Sequence, residues 1–157
     1  TVGIDLGRQL LSDRIDSGVV LLGYLGHGGL DRLASEGVLT TGDVPGLANG
    51  ERAPVVTALT CVVGRFDIPG YDTLAEALLL HQGGGAIAVW SPSGYSLNED
   101  AVRLGGSFAD AAASGGEPRL GDLVRAALAD AELPESADPT VALLYVLLGD
   151  PALEMGW

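Results

Sequence analysis

The sequence predicts an α/β domain in which a mostly parallel sheet is flanked by helices, and three observations carry that prediction. Short apolar runs alternate with longer, helix-patterned segments along most of the chain. The runs at residues 19–25, 54–59 and 86–90 are apolar and partly β-branched, broken in the second by Thr57 alone, as strands buried on both faces are. Each is followed by a stretch rich in glycine, serine or threonine, and in an open α/β sheet such loops meet in a crevice at the carboxyl ends of the strands.

In chain order, residues 6–15 place Leu6, Leu10, Leu11 and Ile15 on one helical face, with Asp5 as the cap and Ser17-Gly18 as the stop. The strand at 19–25 follows and runs into Gly26-His27-Gly28-Gly29, where glycine lets the backbone approach a ligand closely. Residues 31–52 are irregular, punctuated by Gly37, Gly42, Pro45, Gly46 and Gly50, and a connection of that length is usually functional or mobile. The second strand, 54–59, leads to Cys61. Asp72-Thr73 caps a helix over 74–82, with Glu76 in the first turn where a negative charge suits the helix dipole. His81, late in that helix, suits its C-terminal end and reads as structural. Gly83-Gly84-Gly85 ends the helix, 86–90 forms the third strand, and 91–96 is read as a loop at its end. Helices are expected over about 98–113, through Val102, Leu104, Phe108 and Ala112, and over 120–131, before Pro134. The apolar segment 140–148 fits a strand or a buried helix equally well, and Gly149-Asp150-Pro151 turns the chain before Trp157.

The 157 residues, 47 % hydrophobic, suffice for one domain, 1–157, with a sizeable core. No uninterrupted apolar stretch of about 18 residues occurs, so no membrane span is expected. A net charge of −13 speaks against a nucleic-acid partner, which needs clustered Lys and Arg. The carboxylates read as a solvated acidic surface. A single cysteine excludes an internal disulfide and leaves the redox compartment open.

That cysteine and His27 both fall at expected strand ends. A cysteine nucleophile acts as the thiolate, and a histidine beside it supplies a proton acceptor and a stabilising positive charge. Two neighbouring parallel strands would bring Cys61 and His27 together. An acyl-transfer intermediate then needs preorganised donors, for which the N–H groups of Gly28 and Cys61 are candidates. The plainer reading of an isolated cysteine after a strand is a small buried hydrophobe. One cysteine and two distant histidines make a poor zinc set. No cofactor is expected; calcium on surface carboxylates stays open, although no EF-hand spacing occurs.

Tyr24-Leu25-Gly26-His27-Gly28 and Cys61-Val62-Val63-Gly64-Arg65-Phe66 resemble the histidine and cysteine segments of the gingipain-type cysteine peptidases of the caspase-like clan. Three further segments follow in the family's order: Leu74-Ala75-Glu76-Ala77-Leu78-Leu79, the strand and small-residue loop at 85–94, and the ending Leu148-Gly149-Asp150-Pro151-Ala152-Leu153. The resemblance implies a caspase-like sandwich whose first strands are missing from this chain, as in a processed or truncated portion of a larger, bacterial catalytic domain. It implies a cysteine endopeptidase with His27 as acid and base, Cys61 as nucleophile, and Gly28 and Cys61 as oxyanion donors. Trp90, Ser91 and Tyr95 would border the pocket for the side chain preceding the cleaved bond, although Trp90 is equally at home in the core. The partners implied are a protein or peptide substrate and an N-terminal segment or chain completing the sheet. The location implied is extracellular or secreted. The alternative from the same resemblance is a catalytically silent caspase-like module, CHAT- or gingipain-like, kept for docking.

Overall fold

A computed structural model describes residues 2–115, 118–130 and 141–156; Thr1, Ala131, Pro134, Thr140 and Trp157, on which sequence readings fell, lie outside the described residues. The element order is α1 (Val2–Asp16), β1 (Leu21–Leu25), β2 (Gly28–Gly29), β3 (Arg32–Leu33), β4 (Leu39–Thr40), β5 (Val55–Leu59), α2 (Leu74–Leu80), β6 (Ala88–Pro92), α3 (Asn98–Ala113), α4 (Leu120–Asp130), α5 (Val141–Leu144) and β7 (Tyr145–Leu148). A single 3₁₀ turn, Val44–Gly46, precedes β5.

The main sheet has the order β1-β5-β6-β7. β1, β5 and β6 run parallel, in the register Leu21↔Val55 through Leu25↔Leu59 and Val55↔Ala88 through Thr57↔Trp90. β7 returns antiparallel, pairing Val89↔Leu148 through Pro92↔Tyr145. The mostly parallel sheet flanked by helices is thus as the sequence indicates. The ambiguous segment before Gly149 resolves into one helical turn followed by a strand. The irregular stretch after His27 contains a small antiparallel sheet, β2-β3-β4, built from pairs of residues.

Side chains of β5 alternate between two cores. Val55 and Leu59 join Ala88, Trp90, Leu104, Phe108, Leu120 and Leu123 under α3 and α4. Val56 and Ala58 join Ile15, Leu33, Leu39, Leu74, Leu78 and Val89 on the side of α1, α2 and the small sheet. Every residue of β5 and β6 is buried, which explains why these strands read as continuous apolar runs. β1 is different: Leu22 and Tyr24 pack on the second core, while Leu21 and Leu25 remain exposed on the other face. Its outer edge has no strand partner among the described residues.

α2 starts where a reciprocal cap satisfies the first free N–H groups. The Thr73 N–H donates to Glu76 Oε2 at 2.9 Å, and the Thr73 hydroxyl donates to the same oxygen at 2.8 Å. The long connection to β5 is stapled at its end by Asn49. Its amide donates to the carbonyls of Gly85 and Arg52 at 3.0 and 3.2 Å, and its oxygen accepts the Gly85 N–H at 2.8 Å. His81 meets the Leu47 carbonyl across 3.0 Å, fastening the same connection. None of the described helices is long and apolar enough to cross a membrane.

Candidate active site

At the carboxyl ends of β1 and β5, Cys61 and His27 line one cleft of about 350 Å³, together with Gly26, Leu59, Thr60, Ser96, Leu97, Asn98 and Ala101. The placement follows from the register: β1 and β5 end opposite each other at Leu25↔Leu59, so the residues just beyond are neighbours.

The main chain that carries His27 is held at several points. The Gly26 N–H extends the β1–β5 ladder to the Leu59 carbonyl at 3.3 Å. The His27 carbonyl accepts the Tyr24 hydroxyl at 2.7 Å and the Ala34 N–H at 2.8 Å. Burial holds the Tyr24 phenol above its ordinary range, so it stays a donor. Gly26 has φ +155°, and a β-carbon there would stand 2.8 Å from the Tyr24 hydroxyl oxygen, so the turn requires glycine. The His27 side chain itself is exposed.

Because Ala34 bonds the His27 carbonyl, Gly28 opposite Leu33 is a non-hydrogen-bonded pair of the antiparallel ladder, and its N–H points away from β3. Gly28 lies directly against Thr60, whose hydroxyl has no hydrogen-bond partner among the described residues although it is buried.

Cys61 is half-buried and its thiol donates to the Ser96 carbonyl at 3.5 Å. The next residue, Val62, sits at φ +47°, a left-handed conformation that a β-branched residue rarely adopts. The surroundings fix it there: the Val62 N–H donates to the Gly94 carbonyl at 3.0 Å, the Gly64 N–H to the Pro92 carbonyl at 2.9 Å, and the Val62 side chain is buried. The turn takes the chain sharply out of β5 at the thiol. Backbone strain of this kind, of order 1–3 kcal/mol per residue, concentrates at functional sites.

The wall opposite is the start of α3 and the loop before it. Here the sequence reading needs correction. β6 continues through Ser91 to Pro92, so the loop starts later than expected. Trp90 and Ser91 are 0 % exposed. The Trp90 ring stacks on Phe108 with centroids 5.2 Å apart and tilts against Tyr145 at 5.4 Å, so Trp90 is a core residue and does not border the cleft. Tyr95 is 82 % exposed in the loop, next to Ser96 of the cleft. Ser96, Leu97, Asn98 and Ala101 form the wall. Asp100, beside Ala101 in α3 but outside the cleft lining, is 4 % exposed, and its Oδ2 has no hydrogen-bond partner among the described residues. Sequence reasoning missed these residues; the one available signal for Thr60 and Asp100 was a polar side chain next to Cys61 or within an otherwise apolar helix face.

Among the described residues no group of three His, Cys, Asp or Glu side chains is gathered as a metal site. A second groove of about 340 Å³, lined by Val19, Val20, Ile87, Leu153 and Met155, lies at the amino ends of the strands and holds neither the cysteine nor a histidine.

Comparison with solved structures relates this fold to known ones. The chain superimposes with a TM-score of 0.84 on the crystal structure of the Arg-specific cysteine proteinase gingipain R (RGPB), at 20 % identity, covering 94 % of this chain and 36 % of that one. A complex of the Porphyromonas gingivalis RgpB pro- and mature domains matches with a TM-score of 0.85 at 19 % identity, over 94 % of this chain and 37 % of that one. A further structure, described as a protease, matches at 16 % identity with a TM-score of 0.81, over 92 % of this chain and 37 % of that one. The chain therefore spans little more than a third of the length of these structures. The fold is that of a gingipain caspase-like domain, part of which lies outside this chain. A comparison with curated proteins found no significant match. The sequence profile of peptidase family C25 matches residues 4–156, and the chain belongs to that family.

Proposed function

We propose that the protein is a cysteine endopeptidase that hydrolyses peptide bonds through Cys61 and His27. The observation that supports this most is the meeting of the one thiol and an exposed imidazole in a single cleft, at the ends of two hydrogen-bonded parallel strands. His27 takes the thiol proton, and the Cys61 sulfur attacks the carbonyl carbon of the scissile bond. The N–H groups of Gly28 and Cys61 stabilise the developing oxyanion. The tetrahedral intermediate collapses as His27 returns the proton to the leaving amine, which gives a thioester. Water, deprotonated by His27, then releases the acid and restores the thiol. No cofactor enters these steps.

The side chain preceding the cleaved bond is proposed to be cationic. The chain's net charge of −13 suits a basic substrate. The Arg-specific description of one structural neighbour agrees with it. The uncovered face and free edge of β1, with Leu21 and Leu25 exposed, are proposed to receive a further segment of the protein that completes the sheet.

The test is labelling of the full-length protein with peptidyl electrophiles carrying Arg, Lys or Gln next to the reactive group. Labelling at Cys61 that is lost in Cys61→Ala and reduced at least 100-fold in His27→Ala is expected. Faster labelling by the Arg or Lys electrophile than by the Gln one is expected. A protein that takes no label while still folding is a docking module and not a peptidase.

A further inference from the structure

Tyr145 is the buried residue in contact with the cleft wall that the proposed reaction leaves unused. It opens β7, its ring packs against Trp90, and it is 5 % exposed. Its hydroxyl lies 3.2 Å from Ser96 Oγ. Either hydroxyl can donate in the Tyr145–Ser96 contact, and Ser96 Oγ also lies 3.4 Å from the Leu97 carbonyl. The main-chain carbonyl of the same Ser96 accepts the Cys61 thiol at 3.5 Å.

We propose that Tyr145 is a positioning residue for the nucleophile: its hydroxyl fixes Ser96, and through the Ser96 carbonyl it fixes where the Cys61 sulfur sits. The proposal rests on Cys61 being the nucleophile. Ser96 belongs to a loop that is held, on its β6 side, at Ser93 and Gly94. The Ser93 N–H and hydroxyl bind the Leu144 carbonyl at 2.8 and 3.0 Å, and the Gly94 carbonyl accepts from Val62. Between that anchor and α3 the chain passes the solvent-exposed Tyr95, and the phenol contact, together with the carbonyl's contact to the thiol, ties the Ser96 end of the loop to the sheet. Burial pushes the Tyr145 phenol up to about 12, so it stays protonated throughout the working range of a thiol enzyme.

The experiment compares Tyr145→Phe, Ser96→Ala and the double variant in the full-length protein, with steady-state hydrolysis of a peptidyl amide as the readout. Tyr145→Phe keeps the ring stack and removes only the hydroxyl. Each single variant should lower kcat about tenfold with KM within about twofold, the size expected for one lost hydrogen bond felt at the transition state. The double variant should be no slower than the slower single, because both changes break the same contact. Wild-type kcat in Tyr145→Phe, an effect confined to KM, or losses that multiply in the double variant would each overturn the proposal. Should Tyr145→Phe fail to fold, Ser96→Ala on the partly exposed loop decides alone. Turnover that survives in Cys61→Ala overturns the underlying reading, and with it the positioning role, whatever Tyr145→Phe shows. If the wild-type protein shows no turnover, the rate of Cys61 alkylation by iodoacetamide decides: equal changes in the two singles uphold the positioning role, and unchanged rates refute it.

Discussion

Replacing Gly28 by alanine tests the geometry of the cleft at its tightest point. A β-carbon at position 28 would fall on Thr60 Oγ1, well inside any permitted contact, and would stand 3.1 Å from Thr60 Cγ2 and 3.2 Å from its Cβ. Non-bonded carbons pack at about 3.5–4.0 Å. Thr60 cannot give way easily, because it is 3 % exposed, stiff at χ1, and follows a strand hydrogen-bonded on both sides. The small sheet must therefore back away, by about 1 Å, taking His27 with it. Overpacking of this kind costs about 1–3 kcal/mol, a fall of several degrees in Tm for a domain of this size. A displacement of about 1 Å between reacting groups costs on the order of 100-fold in rate. Gly28→Ala should thus lose peptidyl-amide hydrolysis far more than it loses stability, even though the N–H at position 28 is still present. Thr60→Ala removes two of the three obstructing atoms, so Gly28→Ala/Thr60→Ala should recover most of the lost rate. The assay is kcat/KM beside thermal unfolding for the two singles and the double. Full activity in Gly28→Ala, or a loss that Thr60→Ala leaves untouched, would refute the reasoning.

Three further expectations concern the frame around the site. Asn49→Ala leaves the N–H and carbonyl of the buried Gly85 unpaired and should cost about 2–4 kcal/mol in urea unfolding. Thr73→Ala opens the reciprocal cap of α2 and should cost about 1 kcal/mol by the same measurement. Tyr145 is protonated up to about 12 in the folded protein and to about 10.0 when unfolded, so between those values the unfolded chain holds fewer protons. Its contribution to stability is complete below about pH 10 and disappears as pH rises through about 12; Tyr145→Phe should flatten that part of the alkaline unfolding curve.

The strands that build the site were legible because burial on both faces leaves a plain signature: Val55–Leu59 is apolar but for one threonine, and both its faces are covered. The start of α2 was legible for a local reason, since Thr73 and Glu76 satisfy each other within one turn. The small sheet was not, because strands of two residues are too short to show a period of two, and their pairing depends on contacts between Gly28 and Leu33 that no local pattern encodes. Trp90 and Ser91 were misplaced for a related reason. Ser-Pro-Ser reads as the start of a loop, but Gly64 and β7 cover Ser91 and Pro92 and hold them in the sheet. The contact behind the wall joins Ser96 to Tyr145, residues far apart in the chain. Only the antiparallel return of β7, whose direction apolar residues alone do not set, brings Tyr145 to Ser96.

The two groups of the proposed pair are held unequally, and the difference follows from strand order. Cys61 leaves a strand paired on both sides, through a strained turn locked by the Gly94 and Pro92 carbonyls. His27 leaves the edge strand, and beyond its clamped carbonyl the imidazole is open to solvent. The sulfur is therefore fixed by the body of the sheet, whereas the imidazole is fixed from one side only. A segment completing the sheet at β1 would cover Leu21 and Leu25 and stiffen the strand that delivers His27, without touching the sulfur. Variants that unsettle β1, such as Leu25→Asp, should then weaken peptide turnover while leaving simple alkylation of Cys61 nearly unchanged. Equal losses in both would mean that the strand carrying the thiol, and not the one carrying the imidazole, depends on that edge.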